Sequence, residues 1–141
     1  MADEIGTPIG PGEWFEITQA QIDEFASATG DRQWIHVDVE RASREAPGGK
    51  TIAHGYLLLS LLGTLQPALF TVASRQTLNV GLNKLRFLAP VPAGSRVRLI
   101  QTVTGAEPQG AGLRITYDTK IELEGSEKPA VAAEIVFLHF D

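Results

Sequence analysis

A chain of 141 residues, 43% hydrophobic and 21% charged, has the length and composition of one globular domain with an adequate core. Its net charge of −5 without any lysine-rich run argues against nucleic acid as a partner, and the lack of cysteine removes disulfides, a thiolate nucleophile and cysteine-ligated metal sites. No stretch reaches the ~20 apolar residues that span a bilayer, and the acidic residues 1–6 lack an apolar leader core, so no membrane association and a cytoplasmic location are expected.

The first 13 residues are punctuated by glycine and proline and are expected to lie extended or frayed. A helix is predicted over 19–29. Thr18 is a good N-cap, Gln21 completes a capping box, Ile17 can staple onto Ile22, and Gly30 is a natural left-handed stop. Asp31 therefore falls just past the helix C-terminus. Residues 31–50 read as irregular apart from a short helical turn near 39–44, with Pro47-Gly48-Gly49 breaking whatever precedes it. From Gly55 the chain is apolar around most of a helical cylinder until Pro67, which is expected to end it. Twelve helical residues span ~18 Å, and a domain of this size has a radius of gyration of ~14 Å. Such a buried helix must be wrapped, and Gly63 is expected to let a sheet approach it closely. Strands are predicted over 77–88, 95–104, 113–124 and 130–140. The third is the clearest, with Leu113, Ile115, Tyr117, Thr119, Ile121 and Leu123 alternating with polar residues. Strands after helices, joined by short turns, argue for an α+β fold with an antiparallel sheet.

Charge is unevenly spread. Residues 46–106 contain six bases (Lys50, Arg75, Lys84, Arg86, Arg96 and Arg98) and no acid, whereas both flanking segments are acidic. Such a zone either steers a small polyanion or is balanced in space by the acidic ends.

Asp31 follows a helix C-terminus, where the macrodipole disfavours another negative charge by up to ~1 kcal/mol. Taken singly it reads as a turn-forming residue after Gly30, and His36 reads as an ordinary surface or core histidine. Together they say more. Five residues of irregular chain span at most ~17 Å and can fold back, bringing a carboxylate and an imidazole onto one water, the arrangement general acid–base catalysis requires. Gly55 opens the apolar helix with an unshielded amide at its positive end, suited to a developing oxyanion and worth up to ~3–4 kcal/mol per donor in acyl chemistry. A packing reason for this glycine stays open. His54 beside it is expected to be neutral and structural. Ser60 has no Gly-x-Ser-x-Gly context and is expected to line a pocket or bond back to its own helix. The three histidines lack the spacing of a zinc site, and His139 is expected only to pack.

Gly30-Asp31 with His36, Ile52-Ala53-His54-Gly55, and the segment Gly81-Leu82-Asn83-Lys84-Leu85-Arg86-Phe87 followed by Ala89-Pro90-Val91 together resemble the MaoC-like dehydratases, the hot-dog-fold (R)-specific enoyl-CoA hydratases. Gln33-Trp34 stands where the usual signature has Asn-Pro. That version is similar to the nodulation protein N-like branch and bears on acyl-chain preference more than on reaction type. The resemblance implies one hot-dog domain over 1–141, an antiparallel sheet wrapped around a long central helix, and a homodimer whose sheets join edge to edge. It also implies an acyl-CoA thioester substrate, Asp31 and His36 as the catalytic pair, Gly55 with His54 and Ser60 at the thioester, and no metal or cofactor. The six bases become candidates for contacts with coenzyme A. A hot-dog thioesterase is the nearest alternative, although such enzymes often carry a carboxylate on or beside the long helix and this chain has no acid over 46–106. A non-catalytic acyl-CoA-binding subunit is the second.

Overall fold

The computed structural model describes residues 5–141, so the acidic residues 1–4 lie outside the described part. In chain order the elements are β1 (Pro8–Ile9), β2 (Phe15–Glu16), α1 (Gln19–Thr29), α2 (Trp34–Val37), α3 (Val39–Glu45), a 3-10 turn (Pro47–Gly49), α4 (Gly55–Ser60), α5 (Leu62–Leu69), β3 (Gln76–Phe87), β4 (Arg96–Gln109), β5 (Gly112–Leu123) and β6 (Val131–Phe140). All strand pairings are antiparallel, in the order β1-β4-β5-β6-β3 with β2 also on β4. The α+β expectation holds, and no helix among the described residues is long and apolar enough to cross a membrane.

Local chemistry fixes α1 at both ends. Thr18 Oγ1 accepts from the Gln21 amide at 3.2 Å while the Thr18 amide donates to Gln21 Oε1 at 3.1 Å, two otherwise unpaired donors satisfied reciprocally. Gly30 sits at φ 83° and its amide returns to the Ala26 carbonyl, so the chain leaves in a left-handed turn that only glycine adopts freely. Ile17 and Ile22 are both fully buried in the main core.

The loop of residues 31–50 is more ordered than expected. Trp34–Val37 forms a helical turn, closed by the Asp38 amide on the Trp34 carbonyl, and Asp38 Oδ1 then caps α3 by accepting from the Arg41 amide. A four-residue helix is too short to carry a hydrophobic period, which is why the pattern missed it.

The central rod departs from expectation in three ways. It is two helices, α4 and α5, joined at Leu61 (φ −66°, ψ −12°). It continues through Pro67 to Leu69, because the carbonyl that proline leaves unpaired belongs to Gly63, an exposed residue with nothing within 4 Å of where a Cβ would stand. Gly63 therefore relieves the proline and does not admit a sheet. Finally, only one face is buried: Leu57, Leu58, Leu62 and Leu65 pack with Val97, Leu99, Ile121, Val131 and Ile135, whereas Tyr56, Ser60 and Thr64 are exposed.

The strands fall close to their predicted bounds, except that β4 runs on to Gln109 across a bulge between Val103 and Gly105. In β5, Ile115, Tyr117, Thr119 and Ile121 are buried and Asp118 and Lys120 exposed, as the alternation requires. Strand β3 is outermost, paired only with β6, and exposed along nearly its whole length.

Candidate active site

The turn at Gly30 carries Asp31 off the end of α1 toward the start of α4. The Asp31 main-chain carbonyl accepts a hydrogen bond from His54 Nε2 at 3.0 Å, while its exposed carboxylate holds the Gln33 amide at 3.4 Å in an Asx-type turn. His36 lies on α2 and is buried. Its Nδ1 donates to the Ile52 carbonyl at 2.7 Å, so the neutral ring keeps its lone pair on Nε2. The His36 carbonyl is in turn held by Gln19 Nε2 at 2.8 Å, and Gln19 Oε1 accepts from Thr51 Oγ1 at 2.5 Å. Position and tautomer of the imidazole are thus set from three segments.

A carboxylate oxygen of Asp31 and one ring nitrogen each of His36 and His54 lie within 4.8 Å of one another. The two imidazoles stack, with centroids 3.9 Å apart and planes 23° from parallel. Near-parallel rings direct their in-plane lone pairs along near-parallel lines, away from a common ion ~2.0–2.1 Å from each nitrogen. One nitrogen of each ring is already committed to a carbonyl. The cluster suits proton transfer better than metal coordination.

Gly55 begins α4, where its amide has no partner within the helix. Its packing explanation is also realised: a Cβ there would stand 2.8 Å from Phe87 Cε2. His36, Gly55, Leu58 and Phe87 line one cavity of about 220 Å³, and Trp34, Pro47 and Lys50 line a neighbouring slot of about 140 Å³, with Ile52 and Pro90 in both walls. A larger cavity, about 430 Å³ between residues 11–15 and α5, has Glu13 as the sole titratable group in its lining. Chemistry therefore points to the smaller one. Ser60 is not brought to it. That side chain is exposed and its hydroxyl donates to the Tyr56 carbonyl at 2.7 Å, the back-bonding alternative.

The basic zone resolves in two parts. Arg96 pairs with Glu124 at 2.6 Å, and Arg98 pairs with Glu122 at 2.9 Å while lying over the Trp14 ring. Lys50 borders the slot beside the cavity and has no ion pair among the described residues. His139 does more than pack. Its Nε2 lies 3.1 Å from the Tyr117 hydroxyl and its Nδ1 2.9 Å from Thr77 Oγ1, and burial lowers its pKa.

Sequence reasoning gave no site role to Gln19, Thr51, Phe25 or Phe87. Phe25 carried a signal as a large side chain on the inward face of α1, and Phe87 as part of the segment that carries the family resemblance.

A hot-dog sheet packed on a helical rod, with a carboxylate and an oriented imidazole at the rod's amino end, suits an enzyme of the hydratase/dehydratase class, and the family and relatives of this chain are of that class. Residues 1–124 match the MaoC like domain, and the chain belongs to that family. It is 49% identical over 138 residues to 3-hydroxyacyl-thioester dehydratase Z of Mycobacterium tuberculosis, covering 96% of this chain and 91% of the relative. It is 43% identical over 145 residues to Nodulation protein N of Rhizobium leguminosarum bv. viciae, covering 100% and 90%. Among solved structures, an (R)-hydratase from A. caviae involved in PHA biosynthesis superposes with a TM-score of 0.75 at 26% identity, covering 98% of this chain and 97% of that one.

Proposed function

We propose that this protein adds water to a trans-2-enoyl-CoA to give an (R)-3-hydroxyacyl-CoA, and catalyses the reverse dehydration, with Asp31 and His36 acting on one water. The observation that carries the reading is the pairing of an Asp31 carboxylate oxygen with a His36 ring nitrogen inside 4.8 Å, where the Ile52 carbonyl leaves His36 Nε2 as the basic atom. The thioester substrate class is supported by the relative named a 3-hydroxyacyl-thioester dehydratase.

In the hydration direction His36 Nε2 removes a proton from the water as its oxygen bonds to C3. Asp31 orients that water by accepting its second hydrogen. The electron pair of the C2–C3 double bond moves toward the thioester carbonyl, whose oxygen is held by the Gly55 amide as enolate character develops. The Asp31/His36 pair then returns one proton to C2, so the enzyme ends as it began. Coenzyme A passes Lys50 on its way out through the slot lined by Trp34 and Pro47. The functional unit extends beyond the family match, because β6 lies between β5 and β3 and closes the sheet.

The enzyme is a homodimer in this reading, joined along β3. That strand leaves a long unpaired edge bearing the exposed Leu78, Val80 and Leu82, a feature isolated chains rarely tolerate.

Asp31→Asn and His36→Ala are each expected to lower crotonyl-CoA hydration by roughly 10²–10⁴-fold, with the oligomeric state unchanged by light scattering. Near-normal turnover in either variant removes that residue from the mechanism. Following free thiol in the same assay separates the alternative, since release of coenzyme A at the rate of enoyl loss identifies a thioesterase.

A further inference from the structure

His54 touches both members of the proposed pair without lining the cavity on which His36 opens. Its Nε2–H donates to the Asp31 main-chain carbonyl, one ring face stacks on His36, and Phe25 of α1 tilts against the ring at 4.8 Å. The residue is 3% exposed, and its Nδ1 is buried with no hydrogen-bond partner. A second proton on Nδ1 has no acceptor there, and the resulting cation would lie against the ring that must itself become cationic during the reaction. The Asp31 carboxylate and His36 are the titratable groups gathered with it. The ring is held so that only its neutral Nε2–H form fits.

Resting on the Asp31/His36 reading above, we propose that His54 is a positioning residue that acts through its neighbours. As an Nε2–H donor it anchors the main chain of Asp31, and as a flat face it fixes the His36 plane, so that carboxylate and imidazole meet the same water.

Two measurements test this. In ¹⁵N spectra of the wild-type protein, whose histidines number three, His54 is expected to show the shifts of an Nε2–H tautomer with a bare Nδ1. An Nδ1–H tautomer overturns the proposal. In kinetics with crotonyl-CoA, His54→Phe keeps the stack and loses the donor. It is expected to lower kcat by roughly 10–100-fold with KM changed less than about threefold. His54→Gln, which restores a donor, should recover part of kcat. Wild-type kinetics in His54→Phe, with His36→Ala inactive, sink this proposal alone; an active His36→Ala sinks the parent reading instead. If His54→Phe fails to fold, the wild-type spectra and His54→Gln decide.

Discussion

Phe87 and Gly55 face each other at the wall of the proposed reaction cavity, and the contact sets how large position 55 can be. A Cβ at Gly55 would approach three atoms of the Phe87 ring to 2.8–2.9 Å, well inside van der Waals contact. Gly55→Ala is expected to fold with a loss of about 1–3 kcal/mol, measured by urea denaturation, and to lower kcat/KM for crotonyl-CoA by displacing both the ring and the amide. Unchanged kinetics would show that neither the ring nor the amide at position 55 bears on the substrate. Only part of this site was legible in the sequence. Gly30-Asp31 and His36 stood out because the capping chemistry of one helix fixes where Asp31 emerges and both groups sit within a few residues of it. Gln19 and Thr51, and the contact of Phe87 with Gly55, were silent because the partners are distant in sequence: Thr51 meets Gln19 across 32 positions, and no local pattern encodes that encounter.

The same division governs the secondary structure. Helix α1 was read to the residue because its caps are local, whereas the division of the rod at Leu61 and its passage through Pro67 depend on which face the sheet covers. The polar chain across β5, β6 and β3 also belongs to the tertiary level: Tyr117, His139 and Thr77 become neighbours only through strand register. It has a measurable consequence. Burial pushes the Tyr117 phenol up to about 12 from its ordinary 10.0. Between those values the unfolded chain loses the proton and the folded one keeps it, so this contribution to stability is whole below pH 10 and lost as pH rises toward 12. Burial moves His139 the other way. The unfolded chain takes up the proton first as pH falls below 6.5, and stability declines on that side too. Stability measured by urea denaturation from pH 5 to 12 should therefore form a plateau that falls at both ends. Tyr117→Phe should flatten the alkaline fall while lowering the plateau by about 1–3 kcal/mol, because His139 Nε2 is left buried and unpaired. An alkaline limb identical in that variant would assign the fall to other groups.

Folding brings the acidic C-terminal segment onto the basic middle of the chain, since the Arg96–Glu124 and Arg98–Glu122 pairs both bridge β4 and the β5 end of the sheet. These exposed pairs add little stability, of order 1 kcal/mol or less each, but they account for two of the six clustered bases without any ligand. The opposite edge has no such compensation. β3, paired on one side only, bears Leu78, Val80 and Leu82 and ends at Phe87 next to Leu88, both of which are exposed and also line the proposed reaction cavity. A second copy laid along β3 would therefore cover the apolar edge and the outer wall of the cavity together. The sequence predicts a strand over 77–88, yet nothing in one chain's pattern says which strand ends up outermost, so the edge becomes visible only with the sheet order. Replacing Val80 and Leu82 together by lysine puts two like charges where the proposed partner's equivalent residues would approach. The wild type is expected to scatter light as a dimer, and the double variant as a folded monomer with native far-UV circular dichroism. Because Phe87 then loses its cover, kcat/KM for crotonyl-CoA should fall at least about tenfold, the scale of a displaced substrate contact. A wild type that is monomeric and fully active, or a double variant that stays dimeric, would show that β3 is not the joining edge and that the cavity is complete within one chain.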